Sequence, residues 1–303
     1  MIDTMIHLGL LVLMPPLLLG LVNKTKALFA GRKGPPLLQP YYDILKLLRK
    51  GLVLSSTTSW IFRAAPAVTL AATLGAGLLA PAGPAPAVLS FSGDFLLFAY
   101  LFGLGRFFTT SAALDTGSAF EGMGASREAS FAVLTEPAMF FAFLVLAKLS
   151  GSLSLAGMLA PGAARLSSAA GLAPAALVAV GLFIVFLAEN SRIPVDDPTT
   201  HLELTMIHEV MVLDHSGPLL GMIEYASALK FFVLGSVVLG AAVPAYPGPP
   251  WLGWTVFAAG MLGLSVLVGA VESSIARLRM ARVPTLLIAA ILLCGAAFIM
   301  LLR

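Results

Sequence analysis

Apolar runs of about twenty residues, separated by short polar or turn-forming stretches, set the pattern of this chain. A helix rising about 1.5 Å per residue needs about 20 apolar residues to cross a hydrocarbon layer about 30 Å thick. Eight runs qualify: 4–22, 63–81, 94–114, 130–150, 173–190, 219–243, 252–276 and 283–302. They predict an all-α polytopic membrane protein, with 1–303 as a single integral membrane domain. The polar connections fall at about 23–62, 115–129, 191–218 and 277–282; the alternate connections are short and rich in Pro, Gly, Ala and Ser, as in PAGPAPAVLS and AYPGPPW. In the first polar connection, GRKGPPLLQPYYDILKLLRKG, the apolar residues Tyr41, Ile44, Leu45, Leu48 and Leu52 recur at helical spacing. Asp43, Lys46, Arg49 and Lys50 fall elsewhere, which predicts an amphipathic helix along the membrane face, serving as a lipid anchor or as a contact for a soluble partner.

Composition agrees: 59% hydrophobic residues, 11% charged and a mean hydropathy of +0.97 give more apolar surface than a soluble domain of this size buries. The first run begins with Asp3 and His7, and its basic residues, Lys24 and Lys26, follow it, unlike a cleavable signal. Thirteen Lys and Arg lie in the polar connections against three in the alternate set, Lys148, Arg165 and Arg303. This asymmetry predicts cytoplasmic polar loops and both termini outside. The net charge of +3 therefore serves orientation, and no nucleic-acid partner is expected. One cysteine, Cys294, lies inside the last run, which excludes an intrachain disulfide or a cysteine-ligated cluster built by this chain alone.

Ionisable chemistry concentrates in AENSRIPVDDPTTHLELTMIHEVMVLDHSG, 188–217, with six acids, one Arg and three His. Thr200 and Glu203 have capping-box spacing, which predicts a helix beginning near His201. His201, His208 and His215 recur every seven residues, about 10.5 Å apart on a helix, too far for one metal. A polar helix face against a partner is the better reading. Within the apolar runs, Arg106, Glu136, Glu189, Glu224, Lys230 and Glu272 are candidates for an ion path. Helix rise places Arg106, Glu136 and Glu224 roughly 9 to 12 Å in from the cytoplasmic end, and Lys230 near mid-bilayer. Static interhelical pairing is the competing reading, and Glu189 and Glu272 lie near enough to the interface to snorkel.

The order AENSRIP, Asp196, Glu203, then Ser216 and Gly217 resembles the signature loop of the H-type membrane subunit of respiratory complex I, A-E-x-x-R-x-P-F-D. The resemblance extends through GRKGPPLLQPYYDILKLLRKG, LDTGSAFEGMGASREASFAVLTEPA and VESSIARLRMARVP, and so covers nearly the whole chain. In detail it is closer to the homologous subunit of energy-converting group 4 [NiFe] hydrogenases of the hydrogenase-4 and formate hydrogenlyase kind. The resemblance implies a multi-pass subunit of a prokaryotic cytoplasmic (inner) membrane, which docks hydrophilic [NiFe] and iron–sulfur subunits beside antiporter-like membrane subunits. It would be a non-catalytic subunit of an oxidoreductase complex, linking electron transfer to proton or sodium translocation. The [NiFe] centre and the clusters would belong to the partners.

By the same resemblance, Glu136, Glu189, Asp196, Glu203 and Glu224 match acids that join a docking cavity to an ion path, and Arg192 matches the signature Arg. Asp115, Glu121, Arg127 and Glu128 are expected at the docking face or cavity mouth, with Asp197, Glu209 and Asp214 in the central loop. The chain departs from the complex I pattern: Val195 replaces Phe, several acids are missing, and the ending is Asp214, His215, Ser216, Gly217. These departures argue against a quinone site. A quinone-site subunit of an NADH:quinone oxidoreductase and a non-conducting structural anchor remain as alternatives. A self-contained transporter is disfavoured by the missing repeat and the bare outer loops.

Overall fold

The computed structural model describes residues 2–159, 169–197, 206–243 and 249–302. The apolar runs fold as α1 (Ile2–Leu13), α2 (Pro15–Phe29), α4 (Trp60–Leu79), α5 (Asp94–Asp115), α6 (Ala119–Ser150), α8 (Ala169–Glu189), α9 (Gly217–Ala242), α10 (Pro250–Ser274) and α11 (Val283–Met300). The expected surface helix is α3 (Gln39–Arg49), and a short α7 (Leu155–Leu159) follows α6. Among the described residues seven helices are long and apolar enough to cross a bilayer, and α1 with α2, taken together as one bent span, would be an eighth. Among the described residues there is no strand, only an isolated bridge between Ala82 and Ala85.

The break corrects the expected single span at 4–22. Helices α1 and α2 meet at 49° around Met14. Pro15 and Pro16 carry no N–H, so carbonyls one turn earlier lose their helical donors. Tyr225 of α9 donates to the Val12 carbonyl at 2.9 Å, and Tyr41 of α3 donates to that of Leu13. The surface helix is thereby fastened to the broken span. Gly20 permits the approach, since a Cβ there would stand 2.0 Å from the Leu37 carbonyl oxygen. On α3, Tyr41, Ile44 and Leu47 turn inward and are half-buried, whereas Leu45, Leu48 and Leu52 stay exposed, so the expected apolar face is divided between the bundle and its surroundings.

Helix α9 sits at the centre, with Phe231, Phe232, Val233 and Leu234 buried among Phe186 of α8 and Met261 and Phe257 of α10. Helix α6 starts at Ala119 and runs for 32 residues, so most of the connection expected at 115–129 is helical. The start of the helix expected near His201, including Thr200, His201 and Glu203, lies outside the described residues, as does Arg165. From Met206 onward the described chain is a turn followed by one 3-10 turn, Glu209–Val212, so that helix does not continue here. The cause is Asp196, whose carboxylate holds the N–H groups of Ile207 and His208 at 3.1 and 3.2 Å.

Candidate functional site

The bundle end that carries the 191–216 segment is tied together by buried acids. Asp196, 1% exposed, accepts from Ile207, His208 and Asp197 N–H groups and from the Arg277 guanidinium at 2.9 Å. Glu121, fully buried, accepts from Asp214 N–H at 3.0 Å. Asp115 accepts from Ser59 N–H at 2.6 Å, and Arg127 donates to the Met206 carbonyl at 2.7 Å. Ser216 exchanges two hydrogen bonds with the backbone of Val53, and the imidazole of His215 stacks on Phe62 with centroids 3.9 Å apart. Burial lowers the pKa of His215, which stays neutral at pH 7. These residues, expected at a docking face, are occupied in joining one connection to another.

Beneath this end lies an ion-pair network. Arg106 of α5 donates through Nε to Glu128 at 3.0 Å and through its two terminal nitrogens to Glu136 and Glu189. Glu189, at the end of α8, also meets Lys230 Nζ of α9 at 2.7 Å. Glu128 reaches upward to His208 Nδ1 at 3.5 Å, and Lys230 rests over the Phe102 ring. One guanidinium thus serves three carboxylates drawn from α6 and α8. Pairs of this kind add little stability over apolar packing, but removing one partner strands a buried charge at a cost of about 3–5 kcal/mol.

A second group lies towards α2. The Glu272 side chain is fully buried between Lys26 Nζ at 2.8 Å and Arg192 at 3.4 Å, and Arg192 also stacks over Phe231. Backbone geometry aims that arginine inward: Ser191 ends α8 with φ of 52°, and Arg192 N–H closes onto the Leu187 carbonyl at 2.8 Å. Neither Glu189 nor Glu272 snorkels, because each already faces two internal cations.

Two cavities meet at this site. The outer one, about 420 Å³, lies between α2, α3 and α9 and is bordered by Asn23, Asp43 and Arg192. The inner one, about 130 Å³, reaches Arg106, Glu128, Glu189 and Lys230. Asn190, Ser191, His208, Glu209, Glu224 and Ser227 border both. Burial, reinforced by the neighbouring Glu224 and Asp196 carboxylates and opposed by Arg192, pushes the pKa of Glu209 up to about 7. This dividing wall therefore holds a carboxyl able to gain or lose a proton near neutrality.

The six intramembrane candidates do not form one cluster. Arg106, Glu136, Glu189 and Lys230 are joined, Glu272 belongs to the Lys26–Arg192 group, and Glu224 stands in the wall between the cavities. Glu128, expected at the docking face or cavity mouth, borders the inner cavity and is bound to Arg106. Sequence reasoning missed Lys26, read only as an orienting charge, and the bond from His208 to Glu128. The residues that brace the broken span, Tyr41 and Tyr225, carried no sequence signal beyond the Pro15–Pro16 pair they answer.

Comparison with known proteins fits this architecture. The chain is similar to formate hydrogenlyase subunit 4 of Escherichia coli strain K12, at 30% identity over 88% of this chain and 87% of that protein. It is 31% identical to hydrogenase-4 component C of the same strain, over 78% of this chain and 73% of the other. It is also 30% identical to the H-type subunit of NADH-quinone oxidoreductase from Acidovorax sp. strain JS42, over 75% of this chain and 68% of that one. A chain in the structure of the membrane-bound sulfane sulfur reductase, an archaeal respiratory membrane complex, shares the fold with a TM-score of 0.81 at 20% identity, covering 97% of this chain and 98% of its own. A family model described as NADH dehydrogenase matches residues 2–303, and the chain belongs to that family.

Proposed function

We propose that this chain is the membrane anchor and ion-coupling subunit of a multisubunit, energy-converting hydrogenase-like complex in a prokaryotic inner membrane. The similarity to formate hydrogenlyase subunit 4 and hydrogenase-4 component C supports the hydrogenase assignment. The observation that supports ion coupling is a succession of spaces bordered by ionisable groups: an outer cavity, a wall with Glu209 and Glu224, an inner cavity, and the Arg106 network. Protons reach the wall from the loop end, pass between the two carboxyls, and alter the charge balance around Arg106. Hydrophilic [NiFe] and iron–sulfur subunits dock over the loops between α5 and α6 and between α8 and α9, and supply the redox chemistry.

A quinone-site reading keeps one specific support, the relationship to the H-type subunit of NADH-quinone oxidoreductase. The outer cavity is bordered by the ionisable side chains of Asp43, Arg192, Glu209 and Glu224, beside the apolar Leu19, Ile44 and Leu47. The test is to tag the chain, extract the membranes gently, and assay the purified assembly for nickel, viologen-linked hydrogen evolution and quinone reduction. Nickel with hydrogen evolution supports the proposal; a nickel-free assembly that reduces quinone replaces it with the second reading.

A further inference from the structure

Among the members of the Arg106 network, Glu136 is the exposed one. The side chains of Arg106, Glu128 and Glu189 are 11%, 11% and 6% exposed, while that of Glu136 is 46% exposed. It does not border either cavity described above. Its exposure is to the outside of the bundle. Helix rise puts it about 21 Å from the Ser150 end of α6, inside the stretch that crosses the bilayer. Only one of its oxygens meets Arg106, and among the described residues it has no other ion-pair partner.

A carboxylate facing hydrocarbon at this depth is costly, and its single cation is shared with two other acids. The network holds three carboxylates, Glu128, Glu136 and Glu189, against two permanent cations, Arg106 and Lys230. His208 lies at Glu128, so any positive charge it takes on falls away from Glu136. The missing positive charge belongs at the outer face. The surroundings have the shape of a helix seat. Val133, 69% exposed, and Pro137 flank Glu136 on α6; Tyr100 and Phe107 stand exposed on α5, and beside Gly103 no atom lies within 4 Å of where a Cβ would be. An open glycine of this kind lets a second helix approach closely in a membrane, and the exposed apolar side chains offer it packing surface.

We infer that the α5–α6 face around Glu136 is the seat of a membrane-spanning helix from a neighbouring subunit, and that this helix places a Lys or Arg against the exposed Glu136 carboxylate. The inference rests on the reading of the chain as one subunit of a membrane assembly, and it names the chemistry of the neighbour at that site. It joins the Arg106 network directly to the adjoining subunit, so that a change of protonation inside this chain is felt across the interface.

The experiment is to replace Val133 with a benzophenone amino acid, purify the whole assembly, irradiate it, and map the joined peptide by mass spectrometry. The expected adduct lies in an apolar helical segment of another subunit with a Lys or Arg within one turn of the attachment point. Adducts confined to lipid, to a second copy of this chain, to a hydrophilic subunit, or to a membrane helix without a basic residue overturn the inference. So does an intact assembly in which no adduct forms. As a second arm, Glu136→Lys is expected to lower the amount of that neighbour in the purified assembly about tenfold or more, because like charges then meet across a dry interface. Reversal of the neighbour's basic residue to Glu is expected to restore it; undiminished neighbour in Glu136→Lys refutes the charge pairing. Nickel and iron content, read on the same preparations, report separately on docking of the hydrophilic redox subunits, whose loss beside an intact adduct would sink that proposal alone.

Discussion

Glu209→Gln is expected to make the protein more stable, and only above mildly acidic pH. In the folded chain Glu209 titrates at about 7, against an ordinary value of 4.5, first because it is buried and then because Glu224 and Asp196 repel its charge. Between these two values the folded state holds a proton that the unfolded chain has released. Stability therefore falls as pH rises through this window and levels off above about 7. At 1.36 kcal/mol per pH unit the full difference is about 3 kcal/mol, and the open cavity beside Glu209 reduces it to about 1–3 kcal/mol. Glutamine keeps the size and removes the titration. Thermal inactivation in detergent, followed for both proteins at about pH 4 and pH 8, should coincide at the lower pH and separate at the higher one in favour of the variant. An equal gap at both values, or a less stable variant at pH 8, would refute the assignment of a strained carboxyl to this wall. The same variant is expected to slow ion movement, so the stabilising change would also be the damaging one.

Glu224→Gln is expected to leave assembly intact and to slow ion movement about tenfold or more, measured as pH change in vesicles, because the wall loses its second proton acceptor. Asp196→Ala should release the Ile207 and His208 amides into fast hydrogen exchange and cost about 1–3 kcal/mol locally, since buried N–H groups lose their acceptor; Asp196→Asn, which retains an acceptor, should fall between. Lys230→Met should lower the thermal inactivation temperature by leaving Glu189 only its share of Arg106, and the added change Glu189→Gln should recover part of the loss. Gly20→Ala should cost about 1–3 kcal/mol and expose the α2–α3 connection to protease, as the new methyl meets the Leu37 carbonyl.

Run length and hydropathy were enough to find every crossing, because a bilayer demands about 20 apolar residues whatever the packing around them. The break in the first span was also written in the chain, at Pro15–Pro16, yet 4–22 reads as one uninterrupted apolar run. The prolines free the Leu11 and Val12 carbonyls, and the donor that Val12 finds is Tyr225, remote in sequence, while Tyr41 meets the next carbonyl, Leu13, at the break. The Thr200–Glu203 capping box lies outside the described residues; just beyond it, at 207–208, the amides are held by a buried carboxylate remote from that signal, Asp196. Ionisable residues were easy to find because they are rare here, but their sorting was not, since pairing depends on how α5, α6, α8 and α9 face one another. Glu128 and Glu121 sit seven residues apart on the same helix; one joins the Arg106 network and the other holds a loop.

That sorting gives the acids two distinct tasks. Asp115, Glu121 and Asp196 accept backbone N–H groups and so fix connections in place. Glu128, Glu136 and Glu189 instead share a single guanidinium, and each leads somewhere different: Glu128 to His208 and the loop end, Glu189 to Lys230 and the centre of the bundle, Glu136 to the outer face of α6. A proton taken up by any one of them weakens its hold on Arg106 and strengthens the hold of the other two, because the same charge is being divided. The arginine does not need to move far for this to matter. On the proposed function, docking above the loops, proton entry through the wall and contact with a neighbouring helix would all act on one cation, which is why Arg106 is the residue through which the proposed coupling would have to pass.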